Sequence, residues 1–325
     1  MTRRIRKRQP DFPPLSSPTP SVSIILVSYN TNGQFIENCL ASLRRLTYPD
    51  YEIIIVDNNS TGETRDALER CCRGEGHGGT PREKLILNKQ NRGFSGGCND
   101  GIARASGEIL VFLNLDTEVD PSWLTELIRP MARDPRVAVT GCKMYFPGRR
   151  TIQHAGGIIY GNGMTKHIGY RRLDEGQYDN ECEVDYVTGA GLAARREFLE
   201  LCGGGFDEDY FPAYCEDVDL CYRARAMGYR VVYAPRSVLV HHESPLFGIE
   251  SPIFQRLCYR GRVLFCLKNF RLRDWLFGFI PCEIRWLCAP ASKGFRKKQI
   301  RAYLDALGFL LGRRYTPDHP FPDRG

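Results

Sequence analysis

Residues 109–118 read Ile-Leu-Val-Phe-Leu-Asn-Leu-Asp-Thr-Glu, a nearly continuous apolar run that ends in polar side chains. A strand of this composition is expected in the middle of a parallel sheet, where helices cover both of its faces. Ligands of such open sheets bind beyond the carboxyl ends of the strands, and Asp116 falls at that end. The segment therefore predicts both a central strand and the position of a site.

Shorter apolar runs on both sides of this segment have the same character. Helical periodicity fills the stretches between them, with Asn32 placed to cap the first helix, and Asp120 placed to cap the helix after the central strand with Pro121 at its first position. Strands that alternate with helices predict an α/β fold with an open, mostly parallel sheet. The expected strands are Val22–Val27, Glu52–Val56, Lys84–Leu87, Ile109–Leu115, Val137–Phe146 and Arg230–Tyr233.

Acidic side chains mark two further points of this pattern. Asp57 ends the second predicted strand as Asp116 ends the central one, so both acids are expected at one edge of the sheet. Residues 216–220, Glu-Asp-Val-Asp-Leu, open an amphipathic helix that Gly228 is placed to end. Carboxylates in the first turn of a helix face its positive end, which favours their ionised form.

The composition limits the classes of function. The chain has 325 residues and a net charge of +7, and its basic residues concentrate at the two ends. This distribution favours anionic surfaces or ligands over a nucleic-acid groove, and no aromatic-basic RNA-binding motif occurs. The 13 cysteines are odd in number, lack any Cys-x-x-Cys spacing and lie largely in apolar patterns, so we interpret them as reduced thiols that fill the core.

The two ends of the chain differ from its middle. Residues 1–20 combine basic residues with prolines and lack the apolar segment of a signal peptide, so a flexible arm is expected. Near the other end, the longest uncharged core, Trp275–Cys282, is far shorter than the roughly 20 residues that span a bilayer. The basic amphipathic helix predicted over Phe295–Arg314 either lies in a membrane interface or packs on the main domain, because periodicity alone does not distinguish the two.

Short polar and glycine-containing segments follow the predicted strands in a specific order. They are Val22–Asn30, residues 56–60 (Val-Asp-Asn-Asn-Ser), Asn91–Gly97 with Asn99, residues 112–117, Gly203–Phe211, Glu216–Leu220, residues 228–229 and His241. In this order they resemble the family 2 inverting glycosyltransferases of the GT-A type, and within them the bacterial rhamnosyltransferase-like group. The resemblance implies a GT-A domain over residues 21–250, with a nucleotide-sugar half over about 21–146, an acceptor half over about 147–250, and a helical extension over 251–325.

The chemistry of that family explains the residue types. Its members move a sugar from a nucleotide-diphosphate donor to an acceptor hydroxyl, and a divalent metal neutralises the departing diphosphate, so one catalytic carboxylate suffices. The resemblance assigns the metal to Asp116 and His241, with His242 as the alternative, and an imidazole ligand favours Mn²⁺ over Mg²⁺. Asn114 stands where the family's metal-binding motif often has its first Asp, so the resemblance gives it a secondary role near the ribose or metal.

The resemblance also assigns the base and the donor site. Asp217 is expected to take the proton of the acceptor hydroxyl, supported by Glu216. Asp57 is expected to accept hydrogen bonds from the pyrimidine of a dTDP- or UDP-linked donor. The residues implied to line the nucleotide-sugar site are Ser28, Tyr29, Asn30, Asp57, Asn59, Arg92, Gly93, Asn99, Asn114 and Asp116.

The expected reaction is transfer of rhamnose or a similar sugar to a saccharide or lipid-linked saccharide in cell-surface polysaccharide synthesis. The expected location is the cytoplasm or the cytoplasmic face of the inner membrane. Two alternatives stand beside it. One is a non-catalytic scaffold protein that keeps the fold and binds nucleotide sugars. The other, a nicotinamide-dependent oxidoreductase, is disfavoured because no Gly-x-Gly-x-x-Gly turn follows the first strand.

Overall fold

The structure, a computed structural model, describes residues 11–72, 82–243, 251–289 and 296–311. The basic residues expected at the start of the arm lie outside these ranges, as do Phe295 and the last residues of the helix predicted to end at Arg314. The strands are β1 (Val22–Ser28), β2 (Tyr51–Asp57), β3 (Arg82–Leu87), β4 (Ile109–Asn114), β5 (Thr117–Val119), β6 (Val137–Tyr145), β7 (Ile152–His154), β8 (Gly157–Ile159), β9 (Thr165–His167), β10 (Cys182–Glu183), β11 (Gly191–Arg195) and β12 (Arg230–His241).

Helices connect the strands and form the C-terminal part. They are α1 (Gly33–Leu43), α2 (Gly62–Cys72), α3 (Gly93–Ile102), α4 (Trp123–Arg133), α5 (Arg196–Leu201), α6 (Glu216–Ala226), α7 (Pro252–Asn269), α8 (Leu272–Asp274), α9 (Ile280–Cys288) and α10 (Arg296–Leu310). A 3-10 turn covers Glu208–Tyr210, and a π-helical turn, Trp275–Phe279, joins α8 to α9 without a break.

One central sheet carries almost all of the strands, in the order β10-β12-β6-β11-β4-β1-β2-β3. The pairs β1–β2, β1–β4, β2–β3 and β6–β12 are parallel, whereas β11 runs antiparallel between β4 and β6. The long strands thus share one direction, and the expected α/β class with a mostly parallel sheet is confirmed. Successive residues of β4 alternate between two buried clusters, which shows that the sheet is covered on both faces as its apolar sequence predicts.

Two local predictions differ from the structure. Asp120 does not cap the helix behind β4: α4 begins at Trp123, and the Asp120 carboxylate accepts a hydrogen bond from Arg149 Nη2 at 2.5 Å instead. The strand predicted to end at Tyr233 continues to His241, because a bulge between Ala234 and Val238 lets β12 resume its pairing with β6. This second difference matters for the site, since it brings a histidine to the edge of the sheet.

The flexible arm predicted over residues 1–20 is wrong for residues 11–20. Phe12 is buried, its ring stacks on Tyr229 at a centroid distance of 4.1 Å, and its backbone N donates to the Pro135 carbonyl at 3.3 Å. Ser16 N also donates to the Glu108 carboxylate at 3.0 Å. The proline-rich composition predicts a flexible arm, whereas the burial of the Phe12 ring and the hydrogen bond of Ser16 attach this segment to the main domain.

The C-terminal helices pack on the main domain and on each other. Arg260 of α7 donates to the carbonyls of Asp209 and Phe211 at 3.0 Å each, and Arg256 of α7 pairs with Asp305 of α10 at 3.0 Å. The last helix therefore packs on the preceding structure through one face, and a membrane contact of its opposite face stays a prediction. In the parts of the chain that the structure describes, no helix combines the length and apolar character that crossing a bilayer requires.

Candidate functional site

The ends of three neighbouring parallel strands form the floor of the site. Ser28 of β1 lies opposite Asp57 of β2, and Val27 of β1 lies opposite Asn114 of β4. The strand register therefore brings Ser28, Asp57 and Asn114 to one edge of the sheet. The expectation that Asp57 and the end of the central strand share an edge is met by the pairing itself.

Asp57 is fully buried and closes a turn. Its two carboxylate oxygens accept from Ser60 N at 3.3 and 3.1 Å. Asn30 N donates to Ser60 Oγ at 2.9 Å, and Asn30 Oδ1 accepts from Thr61 N at 3.2 Å, so the loops after β1 and β2 are tied together. Tyr29 lies half-buried beside Asn30 in the first loop, and Asn59 lies exposed in the second.

Gly93, the first residue of α3, contacts the segment before α6. Its φ of +69° is unfavourable for other residues, and a side chain there would lie 2.6 Å from the Pro212 carbonyl. The neighbouring Phe94 N donates to that carbonyl at 2.8 Å, and Asn58 Nδ2 donates to the Gly93 carbonyl at 2.8 Å. Asn58, which sequence reasoning did not select, thus fixes the loop that carries Gly93.

Arg92 and Asn99 are engaged with protein groups in the structure. Arg92 bonds to Asp100 at 2.9 Å and to Glu208 at 3.0 Å. Asn99 Nδ2 donates to the Phe206 carbonyl at 2.9 Å while its Oδ1 accepts from Phe206 N at 3.0 Å. Their expected contacts with a nucleotide sugar stay predictions, and in the structure both residues hold the loop before the 3-10 turn.

Asp116 and His241 meet because β5 pairs with β12. This antiparallel pairing places His241 opposite Thr117, and His242 N donates to the Asp116 carbonyl at 2.9 Å. His241 Nε2 then lies 3.2 Å from Asp116 Oδ1, whereas His242 Nε2 lies 2.9 Å from Glu118 Oε1. Of the two histidines that the sequence left as alternatives, the structure brings His241 to Asp116.

Gln153 orients His241, and the sequence offered no signal for it because it lies in a stretch without a clear pattern. The Gln153 side chain is buried, its Oε1 lies 2.7 Å from His241 Nδ1, and its Nε2 donates to the His241 carbonyl at 3.4 Å. Because the Gln153 amide nitrogen faces the His241 carbonyl, Gln153 Oε1 faces Nδ1 and accepts a hydrogen bond from Nδ1–H. When the ring is neutral, His241 Nε2 is then the acceptor nitrogen, and Asn114 Nδ2 lies 3.4 Å from it.

This arrangement fits a divalent cation. Asp116 Oδ1 and His241 Nε2 lie 3.2 Å apart, a contact that is favourable with a proton on Nε2 or with a cation between the two atoms. No group of three or more His, Cys, Asp or Glu ligands occurs in the described residues, so a metal held by this pair would need its other ligands from water or from a substrate. One carboxylate and one imidazole suit Mn²⁺, and Mg²⁺ commonly binds through one or two carboxylates plus phosphates.

The acids of α6 have different surroundings. Asp217 is partly exposed, its Oδ2 accepts from Gly189 N at 2.9 Å, and its Oδ1 accepts from Val218 N at 2.8 Å. Burial raises the pKa of Asp217, and these backbone hydrogen bonds oppose the rise. Glu216 is buried with one oxygen lacking a hydrogen-bond partner, and burial together with the charge of Asp217 raises its pKa well above the ordinary range.

Backbone strain precedes these acids. Tyr214 and Cys215 have φ values of +81° and +75°, a left-handed conformation that costs side-chain-bearing residues of order 1 kcal/mol or more each. Two consecutive residues in this conformation immediately before α6 turn the chain sharply. Such strain is concentrated at functional sites, and here it sets the direction in which the first turn of the helix points.

A short segment connects Asp217 to the end of the central strand. Gly189 N binds Asp217, and the carbonyl of the next residue, Ala190, accepts from Asn114 N at 3.4 Å. Asn114 in turn lies beside His241. The structure therefore brings Asp217, Asn114, Asp116 and His241 together around one polar edge, although they come from three separate parts of the sequence.

Comparison with known proteins gives this edge a context. The profile of Glycosyl transferase family 2 matches residues 23–200, more than half of the chain. The O-antigen biosynthesis protein RfbC of Myxococcus xanthus is 39% identical over 238 residues, 70% of this chain and 18% of that protein. N-acetylglucosaminyl-diphospho-decaprenol L-rhamnosyltransferase of Mycobacterium tuberculosis is 27% identical over 296 residues, 82% of this chain and 89% of that protein.

A solved structure shares the fold. The mannosyltransferase PcManGT from Pyrobaculum calidifontis, in complex with GDP-Man and Mn²⁺, aligns with a TM-score of 0.57 and 17% identity over 94% of this chain and 91% of that one. This likeness confirms the expected GT-A architecture. The chain spans 28% and 18% of the length of the first curated relatives that it matches, so it corresponds to one part of those longer proteins.

Proposed function

Because the chain belongs to glycosyl transferase family 2, we propose that it is an inverting, metal-dependent glycosyltransferase. The observation that carries the proposal is the convergence of a hydrogen-bonded, partly exposed Asp217 with the Asp116–His241 pair at one edge of the sheet. A base can take the proton of the attacking hydroxyl, and a cation can neutralise the departing diphosphate of a nucleotide sugar. The fold and the site thus agree on one reaction class.

The donor is proposed to lie across the strand ends. Buried Asp57 accepts hydrogen bonds from the base of a UDP- or dTDP-linked donor, and the loops that carry Ser28, Tyr29, Asn30 and Asn59 line the same slot. Asp116 and His241 would hold the metal, which supplies positive charge to the departing diphosphate when bound. Mn²⁺ is the preferred ion because of the imidazole ligand, and the related fold was solved with Mn²⁺.

Asp217 is the proposed base. The acceptor hydroxyl forms a bond to the anomeric carbon as the bond from that carbon to the diphosphate oxygen breaks, and the hydroxyl proton passes to an Asp217 carboxylate oxygen. The raised pKa of Asp217 makes it a stronger base than an exposed aspartate, while its backbone hydrogen bonds favour the ionised form that accepts the proton. Buried Glu216 supports the position of this residue and does not itself accept the proton.

We propose L-rhamnose or a related sugar as the transferred group and a saccharide or lipid-linked saccharide as the acceptor. The names of two relatives support this choice, since one is an L-rhamnosyltransferase with a lipid-diphosphate acceptor and the other an O-antigen biosynthesis protein. The reaction would serve cell-surface polysaccharide synthesis in the cytoplasm or at the cytoplasmic face of the inner membrane.

Calorimetric titration with UDP and dTDP, each with and without Mn²⁺, tests the site on wild type and Asp116→Ala. We expect nucleotide binding that depends on Mn²⁺ in the wild type and loses that dependence in the variant, and the tighter nucleotide identifies the donor class. Binding that no metal enhances would contradict the metal site. Binding with no sugar transfer to any lipid-linked or soluble acceptor would instead favour the scaffold alternative.

A further inference from the structure

The helical segment of residues 272–288 presents an apolar stripe to solvent. Phe277 is 78% exposed and Leu272 is 74% exposed, which is unusual for large apolar side chains in a folded protein. Positions three to five residues apart share one face of this segment. The exposed apolar side chains on it are Leu272, Leu276, Phe277, Ile280 and Ile284.

The last helix, α10, has a second stripe of the same kind. Its exposed apolar side chains follow a helical spacing along one face and continue one residue past its end, whereas Ala302 and Ala306 on the opposite face are buried against the protein. The members of this stripe are Ile300, Leu304, Leu307 and Leu311.

Buried contacts fix the orientation of both stripes. Glu283 of α9 is buried and accepts from Arg262 of α7 through both oxygens, at 2.8 Å each. The Tyr303 hydroxyl of α10 also hydrogen-bonds to Glu283, so α9 and α10 are tied to each other and to α7. The polar anchors face inward, and the exposure of the apolar stripes is therefore a property of the packed fold.

The charges around the stripes have one sign. On these two helical segments, the exposed charged side chains within the described part of the chain are Arg271, Arg273, Arg285 and Arg301. The acids are turned away from solvent or neutralised: Glu283 is buried with Arg262, and Asp305 pairs with Arg256. Asp274 is the exception: it is partly exposed, and its carboxylate accepts from the backbone N of Arg271 at 2.9 Å.

We propose that this surface, the apolar stripes of residues 272–284 and 300–311 with their arginines, docks on an anionic lipid bilayer. Exposed apolar side chains flanked by exposed arginines match an interface in which acyl chains lie beneath negative head groups. Two copies of the chain meeting through this face would bring arginines together, so self-association fits the charges less well. The inference rests on the proposed function only for its purpose, access to a lipid-linked acceptor.

Flotation of the full chain with vesicles tests this surface. The vesicles contain phosphatidylcholine alone or with roughly a third of phosphatidylglycerol, at about 0.1 M and about 0.5 M NaCl. We expect binding to the anionic vesicles that falls at least tenfold in neutral vesicles and at high salt. The double variant Arg271→Gln/Arg273→Gln is expected to bind about fivefold less tightly for each charge removed.

The apolar contribution has a matched control. Phe277→Glu/Ile284→Glu is expected to abolish vesicle binding, whereas Leu173→Glu, at a residue that is 61% exposed outside this surface, is expected to leave it unchanged. Circular dichroism and UDP titration verify that each variant is folded. Loss of docking with UDP binding retained separates this proposal from the glycosyltransferase proposal.

Three results would overturn the proposal. They are a wild type that binds no vesicle, equal binding by Phe277→Glu/Ile284→Glu and Leu173→Glu, and a dimer in sedimentation equilibrium that Phe277→Glu/Ile284→Glu dissociates. The last of these would identify a second copy of the chain as the occupant. Sugar transfer to a water-soluble acceptor is measured separately and does not depend on any of them.

Discussion

The polar edge of the sheet and the C-terminal helices both contain buried or half-buried acids, but they neutralise them differently. Asp217 accepts hydrogen bonds from two backbone amides, and burial raises its pKa. Glu283 is also opposed by burial, but hydrogen bonds from Arg262 and its positive charge outweigh that cost and lower the pKa of Glu283. Both kinds of hydrogen bond favour the ionised carboxylate, but at Asp217 burial outweighs the two amides, whereas at Glu283 the full positive charge of Arg262 outweighs burial.

A second acid of α6 has a guanidinium partner, as Glu283 has. Asp219 lies two residues beyond Asp217, is fully buried, and accepts from Arg223 Nε at 2.8 Å and Asn269 Nδ2 at 2.7 Å. Its guanidinium partner makes it a structural acid, although the sequence places three acids in one turn. The type of partner, more than the position in the turn, therefore separates the proposed base from its neighbours.

Asp217→Asn should have the largest effect on catalysis. Removing a general base costs on the order of 10²–10⁴-fold in kcat, and the asparagine keeps the size of the side chain. Glu216→Gln is the matched comparison, because its raised pKa means that glutamine imitates its protonated state, and a loss of less than about tenfold is expected. Steady-state kinetics with a saturating donor decides the assignment, and equal losses in the two variants would remove the distinction between these acids.

Glu283→Ala should have the largest effect on stability. The variant leaves Arg262 buried without its counter-charge, a change that costs about 3–5 kcal/mol in the free energy of unfolding. Glu283→Gln retains an acceptor oxygen and should cost less. Urea unfolding followed by circular dichroism measures both, and an Ala variant as stable as the wild type would show that the ion pair does not anchor the C-terminal helices.

Gln153→Leu should weaken the cation site without touching it. Partners of metal-binding histidines contribute about 10–100-fold to metal affinity, so Mn²⁺-dependent UDP binding should weaken by that factor. Gln153→Glu also accepts from Nδ1–H and should restore affinity, which a role in packing alone would not produce.

The ring nitrogens of His241 report the same effect independently of binding. In ¹⁵N spectra of the wild type, the proton is expected on Nδ1, as the contact with Gln153 Oε1 requires. Loss of that preference in Gln153→Leu is expected. A wild-type Nδ1 that carries no proton would contradict the orientation proposed for His241.

Lowering the pH should affect activity and stability at different pH values, because the pKa of Asp217 is raised and that of Glu283 is lowered. This is the smallest of the expected effects. Asp217 has a raised pKa, so kcat/KM should fall with slope one as the pH drops through a value above the ordinary aspartate value of about 4. Glu283 has a lowered pKa, so the stability it contributes is present above its unfolded value of about 4.3 and is lost as the pH falls through the lower folded value. Activity should therefore disappear while circular dichroism still reports a folded chain.

The sequence by itself determined the parallel part of the fold. The runs that form β1, β2 and β4 are apolar at nearly every position because strands covered on both faces bury both sets of side chains. Asp57 and Asp116 could be recognised from the sequence as the polar residues after two of these runs. The sequence also predicted Asn32 as the N-cap of α1, and in the structure its side chain accepts a hydrogen bond from Gln34 N at 2.9 Å. These features depend on periodicity and local chemistry, which a chain carries in its order of residues.

Other features were decided by tertiary structure alone. Gln153 had no local signal, because its role depends on a histidine 88 positions away in the sequence. The choice of His241 over His242 depends on β12 continuing past a bulge and pairing with β5, which periodicity does not encode. The burial of Phe12 and the outward direction of Phe277 likewise follow from what packs beside them, since composition states how apolar a residue is and only packing decides whether water reaches it.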